Sequence, residues 1–219
     1  MDTYTRTRVS LHAVAEGVLA GPQHERSSTI RLRALQGGFA TVAEPSLRVA
    51  GTDVVTATGD RVALAGTFAD VATAAGVAYT VPTLYGDHAP VGPHDEVAVD
   101  AAPAARIASW FDRGRQALLV VAPAQMPVLW PEHFDLAVTV DEVNLGVSPG
   151  DGYDGEPYAY VGPWDYDATA PGYAAAAVFN APFGAVRSMQ ECPDVDSMVR
   201  FFAAGRSAVA RARRAPDTT

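Results

Sequence analysis

Apolar residues along this chain recur with two different periods, and the change of period marks out the elements. Over 5–20, Val9, Leu11, Val14, Ala15, Val18 and Leu19 return at helical spacing. Gly21-Pro22 is the expected stop. Over 29–35 the pattern becomes strict alternation, with Ile30, Leu32 and Ala34 on one face and Arg31, Arg33 and Leu35 on the other. That is a half-buried strand. Gly37-Gly38 reads as a turn, after which Phe39–Val42 continue extended. Residues 46–50, 53–58 and 62–64 read as further short strands in a meander, with Gly51-Thr52 between the first two. Thr67 is placed as an N-cap with Asp70 three residues on, opening a short helix that Gly76 closes.

Residues 80–97, rich in Pro and Gly and carrying His88 and His94, read as a long loop. A long helix is expected over 101–121, where Ala105, Ile107, Ala108, Phe111, Ala117, Leu118 and Val121 form the apolar stripe and Pro123 and Pro127 follow its end. Residues 129–141 then alternate as one strand. Trp130, Glu132, Phe134, Leu136, Val138 and Val140 share a face; His133, Asp135, Ala137, Thr139 and Asp141 share the other. Ser148-Pro149-Gly150-Asp151 is a turn signal. The strand at 157–162 is expected to pair with 129–141 across the 148–155 loop, Tyr158 and Tyr160 facing one way. Residues 173–186 read as a third strand interrupted at Pro182, and Asp196 or Ser197 opens a last helix that runs to about Arg213. Strands in meanders with flanking N-terminal, central and C-terminal helices make the fold class α+β. The chain reads as a single domain over 1–219, or as two halves, 1–80 and 98–215, joined by the long loop.

Composition narrows the functions. A hydrophobic content of 48% with 19% charged residues is that of a globular chain. No apolar run reaches membrane-spanning length, and the N-terminus lacks the build of a signal peptide. A soluble cytoplasmic protein without a membrane partner is therefore expected. The net charge is −9, which makes nucleic acid a poor partner. Every basic residue is Arg, so a Lys Schiff base and a P-loop Lys are excluded. Arg206, Arg211, Arg213 and Arg214 read as the solvated end of the last helix, where positive charge suits the dipole. Cys192 stands alone, which excludes an internal disulfide, and it reads as a small buried hydrophobe. Zinc-protease helix and Walker loop are both absent.

The chemistry concentrates between Leu129 and Trp164. In a strand, His133 and Asp135 stand about 7 Å apart on one side, able to form an acid–base pair or to share a metal. Glu132, between Trp130 and Phe134 on the apolar side, is a carboxyl group that burial would turn into a general acid or base. The plain alternative is a wet sheet face with Glu132 satisfied by an Arg or a backbone amide. Asp151, Asp154 and Glu156 crowd a Gly-rich loop without EF-hand spacing, either a solute-facing rim or a solvated hairpin. Tyr158 and Tyr160 either line a pocket or pack. Asn180 either bonds a ligand or satisfies a bulge beside Pro182.

The run Trp130–Ala137, then Ser148–Asp151, then Glu156–Tyr160 resembles an uncharacterised bacterial family known only as a domain of unknown function. Its members carry aromatic-Pro-x-His-Phe-Asp-Leu-Ala, Ser-Pro-Gly-Asp and Glu-Pro-Tyr-x-Tyr motifs. Many carry His where this chain has Glu132, so a two-histidine metal site does not carry over. The resemblance implies a shared architecture and no activity. Three functions are in play. One is a small-molecule enzyme using proton-transfer or metal-assisted chemistry through His133, Asp135 and Glu132. The second is a non-catalytic ligand-binding or structural protein with Trp130, Asp151, Tyr158, Tyr160 and Asn180 lining its pocket. The third is an acidic module that docks a basic protein. No cofactor is singled out.

Overall fold

The computed structural model describes residues 1–86 and 88–214, and its fold is α+β with antiparallel strands. The chain divides into two compact units, 1–112 with 128–136 and 113–127 with 137–219.

The first unit opens with α1 (Thr3–Ala13), capped by the Asp2 carboxylate accepting from Thr5 N–H. The helix does not stop at Gly21-Pro22. It widens into a π-helical segment, Val14–Ala20, and resumes as α2 (Gly21–Ser27). The signature is the Gly21 N–H donating to the Glu16 carbonyl five residues back. The wider turn relieves the clash a proline ring makes with the carbonyl four residues before it, so Pro22 starts α2 and does not end the helix. Every residue of the π segment is buried, and all but Glu16 are apolar or glycine.

The meander follows as expected: β1 (Leu32–Leu35), β2 (Gly38–Thr41), β3 (Arg48–Ala50), β4 (Asp53–Val55) and β5 (Arg61–Ala63). Leu32 pairs with Thr41 and Leu35 with Gly38, and Gly37 turns the chain at φ +80°. Helix α3 (Phe68–Ala74) carries the full capping box between Thr67 and Asp70. The described residues of 80–97 form no helix or strand beyond a single bridge between Glu96 and Thr67, and they lie inside the first unit. Helix α4 (Ala101–Val121) spans the expected range. Strand β6 (Val128–Trp130) pairs with β1, giving the order β6-β1-β2-β3-β4-β5 in this unit. Phe39, Phe68, Ile107, Phe111 and Phe134 centre the core.

The expected strand over 129–141 is broken. Residues 131–134 form a turn, and Phe134 reverses the chain at φ +48° before β7 (Asp135–Val140). Alternation runs straight through that turn, so its pattern imitates one strand. Phe134 and Leu136 are buried as expected, whereas Trp130 is half-buried under the Arg31 guanidinium, 5.7 Å from its ring.

In the second unit a strand the sequence reading passed over, β8 (Val143–Ser148), lies between β7 and β9 (Tyr158–Pro163). The expected pairing of 129–141 with 157–162 is therefore replaced. Ser148 faces Tyr158, and Val143 faces Pro163. Asp141 and Glu142 make the β7–β8 turn at φ +51° and +59°, the mirror-image turn that suits strand twist. The expected strand over 173–186 is instead a one-turn helix, α5 (Pro171–Ala174), a series of turns, and β10 (Ala185–Ser188), which pairs with β9. Helix α6 (Val195–Ala212) is capped by Asp194 and not by Asp196 or Ser197. Gly205 on α6 and Gly114 on α4 touch Val161 and Val147, so both helices cover the same face of β8 and β9. Arg206 and Arg213 are not merely solvated: they donate to the carbonyls of Val121 (3.0 Å) and Asp141 (2.8 Å), and Arg213 bonds Asp165 at 2.8 Å.

Candidate functional site

A carboxylate stands in the middle of the all-buried π segment. Glu16 is 1% exposed. Ionised acids are almost never buried without partners, and Glu16 has them. Its Oε1 lies 2.9 Å from His88 Nδ1, and its Oε2 accepts from the Ala89 N–H at 2.8 Å. The Nε2 of His12, one helical turn earlier, is 3.7 Å from Oε2. The Tyr85 ring is 4.9 Å from the His88 ring. Its hydroxyl oxygen is buried, in looser contact with the carboxylate than a well-formed hydrogen bond. Burial first, then the Glu16 charge and hydrogen bonding to it, then the Glu132 charge, push the Tyr85 phenol well above its ordinary range.

Two glycines hold the loop in place. A Cβ on Gly17 would stand 2.1 Å from the Tyr79 ring, and one on Gly21 would stand 1.5 Å from the Thr80 carbonyl oxygen. Only bare backbone lets the loop lie so close, and Thr80 N–H seals the contact by donating to the Gly17 carbonyl at 2.9 Å. Tyr79 is pushed up to about 12, first by burial, then by the charges of Glu16 and Asp95. Beyond the loop, Ser10 and Thr7 of α1 accept from Ala98 N–H (3.0 Å) and Asp100 N–H (3.1 Å). One face of α1 and the π segment thus fastens the loop at both ends.

The 131–134 turn borders this cluster. The Phe134 ring stacks on His12, centroids 5.5 Å apart and planes 7° from parallel. Glu132 is partly exposed, and the half-exposed His133 reaches it at 3.6 Å. The shared strand face expected for His133 and Asp135 is not formed. His133 belongs to the turn, while Asp135 opens β7 and is 8% exposed. Glu132 is likewise in the turn and not on the apolar face of a strand.

The other sequence candidates lie in the second unit. Asp151 organises its own loop, accepting from Tyr153 N–H at 2.8 Å and from the Tyr158 hydroxyl at 2.5 Å. Tyr158 and Tyr160 share a face of β9, with Tyr160 lying over Gly146. Asn180 accepts from Val186 N–H at 2.8 Å and donates to its carbonyl at 3.3 Å. Among the described residues, no three His, Cys, Asp or Glu side chains are grouped to hold a metal ion. No helix there is long and apolar enough to cross a membrane.

Sequence reasoning missed Glu16, His12 and Tyr85, and it saw His88 only as a loop histidine. One signal was available: a lone acid inside Val14–Ala20, an otherwise apolar helical run. Such an acid demands a partner from elsewhere in the fold. Searches of family models, of curated proteins and of solved structures find nothing that matches this chain.

Proposed function

We propose that this protein is a small-molecule enzyme whose working group is the Glu16–His88 pair, transferring a proton to or from a bound solute. The observation that carries this reading is the 2.9 Å contact between a carboxylate 1% exposed and the Nδ1 of a histidine whose side chain is 35% exposed. A buried carboxylate on Nδ1 fixes the imidazole's tautomer and orientation. The proton then sits on Nδ1, and Nε2 keeps its lone pair as a base. Imidazole is the side chain that changes charge nearest neutrality, so it suits general acid–base work. Glu16 is the positioning residue, and His88 is the group that meets solute. Tyr85 supplies a neutral hydroxyl donor beside it. His12 and the 131–134 turn wall the cluster.

The same bonds favour a second reading. Because Ala89 N–H also binds Glu16 at 2.8 Å, the carboxylate is also a clasp for the loop, as a purely structural protein would need. A screen of compounds with acidic C–H bonds or hydrolysable bonds, read by deuterium uptake and product release, separates the two. His88→Gln abolishes turnover while the circular dichroism spectrum and melting midpoint stay near the parent's. Glu16→Gln lets the His88 proton move to Nε2, which long-range nitrogen–proton NMR reads directly, and activity falls with it. A His88→Gln chain that turns over as fast as the parent, or a parent with no turnover across the screen, rejects the catalytic reading.

A further inference from the structure

Among the described residues of the second unit, Phe201 and Phe202 pair, and two larger groups of aromatic rings are built differently. Tyr166, Tyr173 and Phe179 touch in all three pairs, with centroids 5.1–5.5 Å apart, so the triangle fills its own centre. That is ordinary packing. The other group closes as a circuit. Tyr153 meets Tyr158 at 5.6 Å, Tyr158 meets Tyr160 at 6.3 Å, Tyr160 meets Phe183 at 6.5 Å, and Phe183 returns to Tyr153 at 5.0 Å. Neighbouring planes cross at 69°, 56°, 87° and 75°. Rings set steeply to one another around a circuit have the arrangement of walls.

Each wall has a reason to stay where it is. Tyr160 lies over Gly146, its register partner, where any side chain would collide with the ring. Tyr158 is fixed through its hydroxyl to Asp151. Asp151 also takes the N–H groups of Tyr153 and Asp154, which ties the loop bearing Tyr153 to the same carboxylate. Phe183 precedes Gly184, whose φ of +141° turns the chain into β10. Tyr153 is 45% exposed and forms the outer wall. The loop beside it carries exposed Asp154 and Glu156 and no basic residue. Aromatic faces attract cations, and carboxylates at the rim add to that field.

We propose that Tyr153, Tyr158, Tyr160 and Phe183 form an aromatic box for an alkylated ammonium group, with the acidic loop as its electrostatic rim. A trimethylammonium head is the fitting class: it is cationic and rounded, and it lacks the N–H groups that would need hydrogen-bond acceptors inside the box.

The test is an NMR titration of the full chain with choline, alongside 3,3-dimethylbutan-1-ol, the neutral molecule of the same shape. Choline shifts the ring resonances of these residues and binds at least fivefold more tightly than the alcohol. Tyr153→Leu keeps bulk but removes a π face, and it weakens choline severalfold without moving the melting midpoint. Tyr153→Phe retains binding. Asp154→Asn with Glu156→Gln weakens choline and flattens its salt dependence. Equal affinity for choline and the alcohol overturns the proposal. So does the absence of ring shifts up to about 0.1 M choline, where screening shortens to about 10 Å. Shifts confined to other residues overturn it too.

Discussion

Phe134 combines two properties that rarely meet: it is 2% exposed, and its backbone is left-handed at φ +48°. Its ring stacks on His12 and meets Phe39 and Phe111 edge-on at 5.6 and 5.3 Å. Truncating a buried Phe to Ala costs about 3–5 kcal/mol, and aromatic pairs are worth about 0.5–1.5 kcal/mol beyond area. Phe134→Ala therefore belongs near the upper end of that range. Glycine alters the comparison. At an ordinary core position it is worse than alanine by about 0.5–1 kcal/mol, through the freedom it gives the unfolded chain. Here alanine keeps a left-handed strain of about 1–2 kcal/mol that glycine releases. The usual order disappears or inverts, and Phe134→Gly is as stable as Phe134→Ala or slightly more so. Paired urea melts followed by far-ultraviolet circular dichroism measure the difference, with equal slopes required for comparison. A glycine variant less stable than alanine by about 1 kcal/mol refutes the strain argument, and a loss below about 1 kcal/mol for both refutes the burial argument.

Other consequences are as direct. Tyr79 is raised to about 12 and Tyr85 is raised as well, so the folded state holds these phenol protons more tightly than the unfolded chain does near 10. Stability is complete below pH 10 and drains away as pH climbs from there toward 12; a melt series showing no alkaline loss in that window contradicts the burial of these rings. Gly17→Ala drives a methyl into the Tyr79 ring and costs about 1–3 kcal/mol, with Tyr79 titrating nearer its ordinary range by ultraviolet difference spectroscopy. An unchanged titration would mean that the ring does not rest on that glycine. Burial pushes the Cys192 thiol up to about 11, so it stays inert to a thiol-exchange reagent at pH 8 until the chain is unfolded; rapid labelling of native protein would disprove the packing. Thr67→Ala removes one half of a capping box and costs about 1 kcal/mol in urea, and no loss would show that the Asp70 half suffices.

Elements with local signatures were readable in the chain. Helix α4 falls on the expected range because its apolar stripe is long and prolines follow it, and the Thr67–Asp70 cap announces α3 within four residues. The meander was legible because Gly37, Gly51 and Gly59 mark three of its turns. Where the chain reverses without those markers, the reading failed. The β7–β8 turn uses Asp141 and Glu142 in left-handed conformations with no glycine, and β8 contains Asn144 and Gly146, which look like a loop. The 131–134 turn preserves the alternation it interrupts. The site was hidden for a different reason. Glu16 and His88 are 72 positions apart, and no local period connects a helix to a loop that far downstream. The motif-rich turn was singled out by its composition, yet in the structure it borders the cluster and does not supply its central pair.

The π segment also has a bearing on how this helix could change in descent. A π turn is what a continuous α-helix becomes when it absorbs one extra residue. Each residue turns an α-helix by about 100°, so a single-residue deletion at 14 or 15 would restore regular α geometry and swing everything before it by that angle. Thr7, Ser10 and His12, which now face the loop segment and Glu16, would rotate away while Glu16 stayed where it is. The helix would lose no hydrogen-bonding capacity and little apolar content. A homologue with one residue fewer here would therefore keep the look of the same protein in its sequence while lacking the same site. For this chain, the length of the first helix is a sharper criterion for a shared Glu16 cluster than the identity of any one side chain along it.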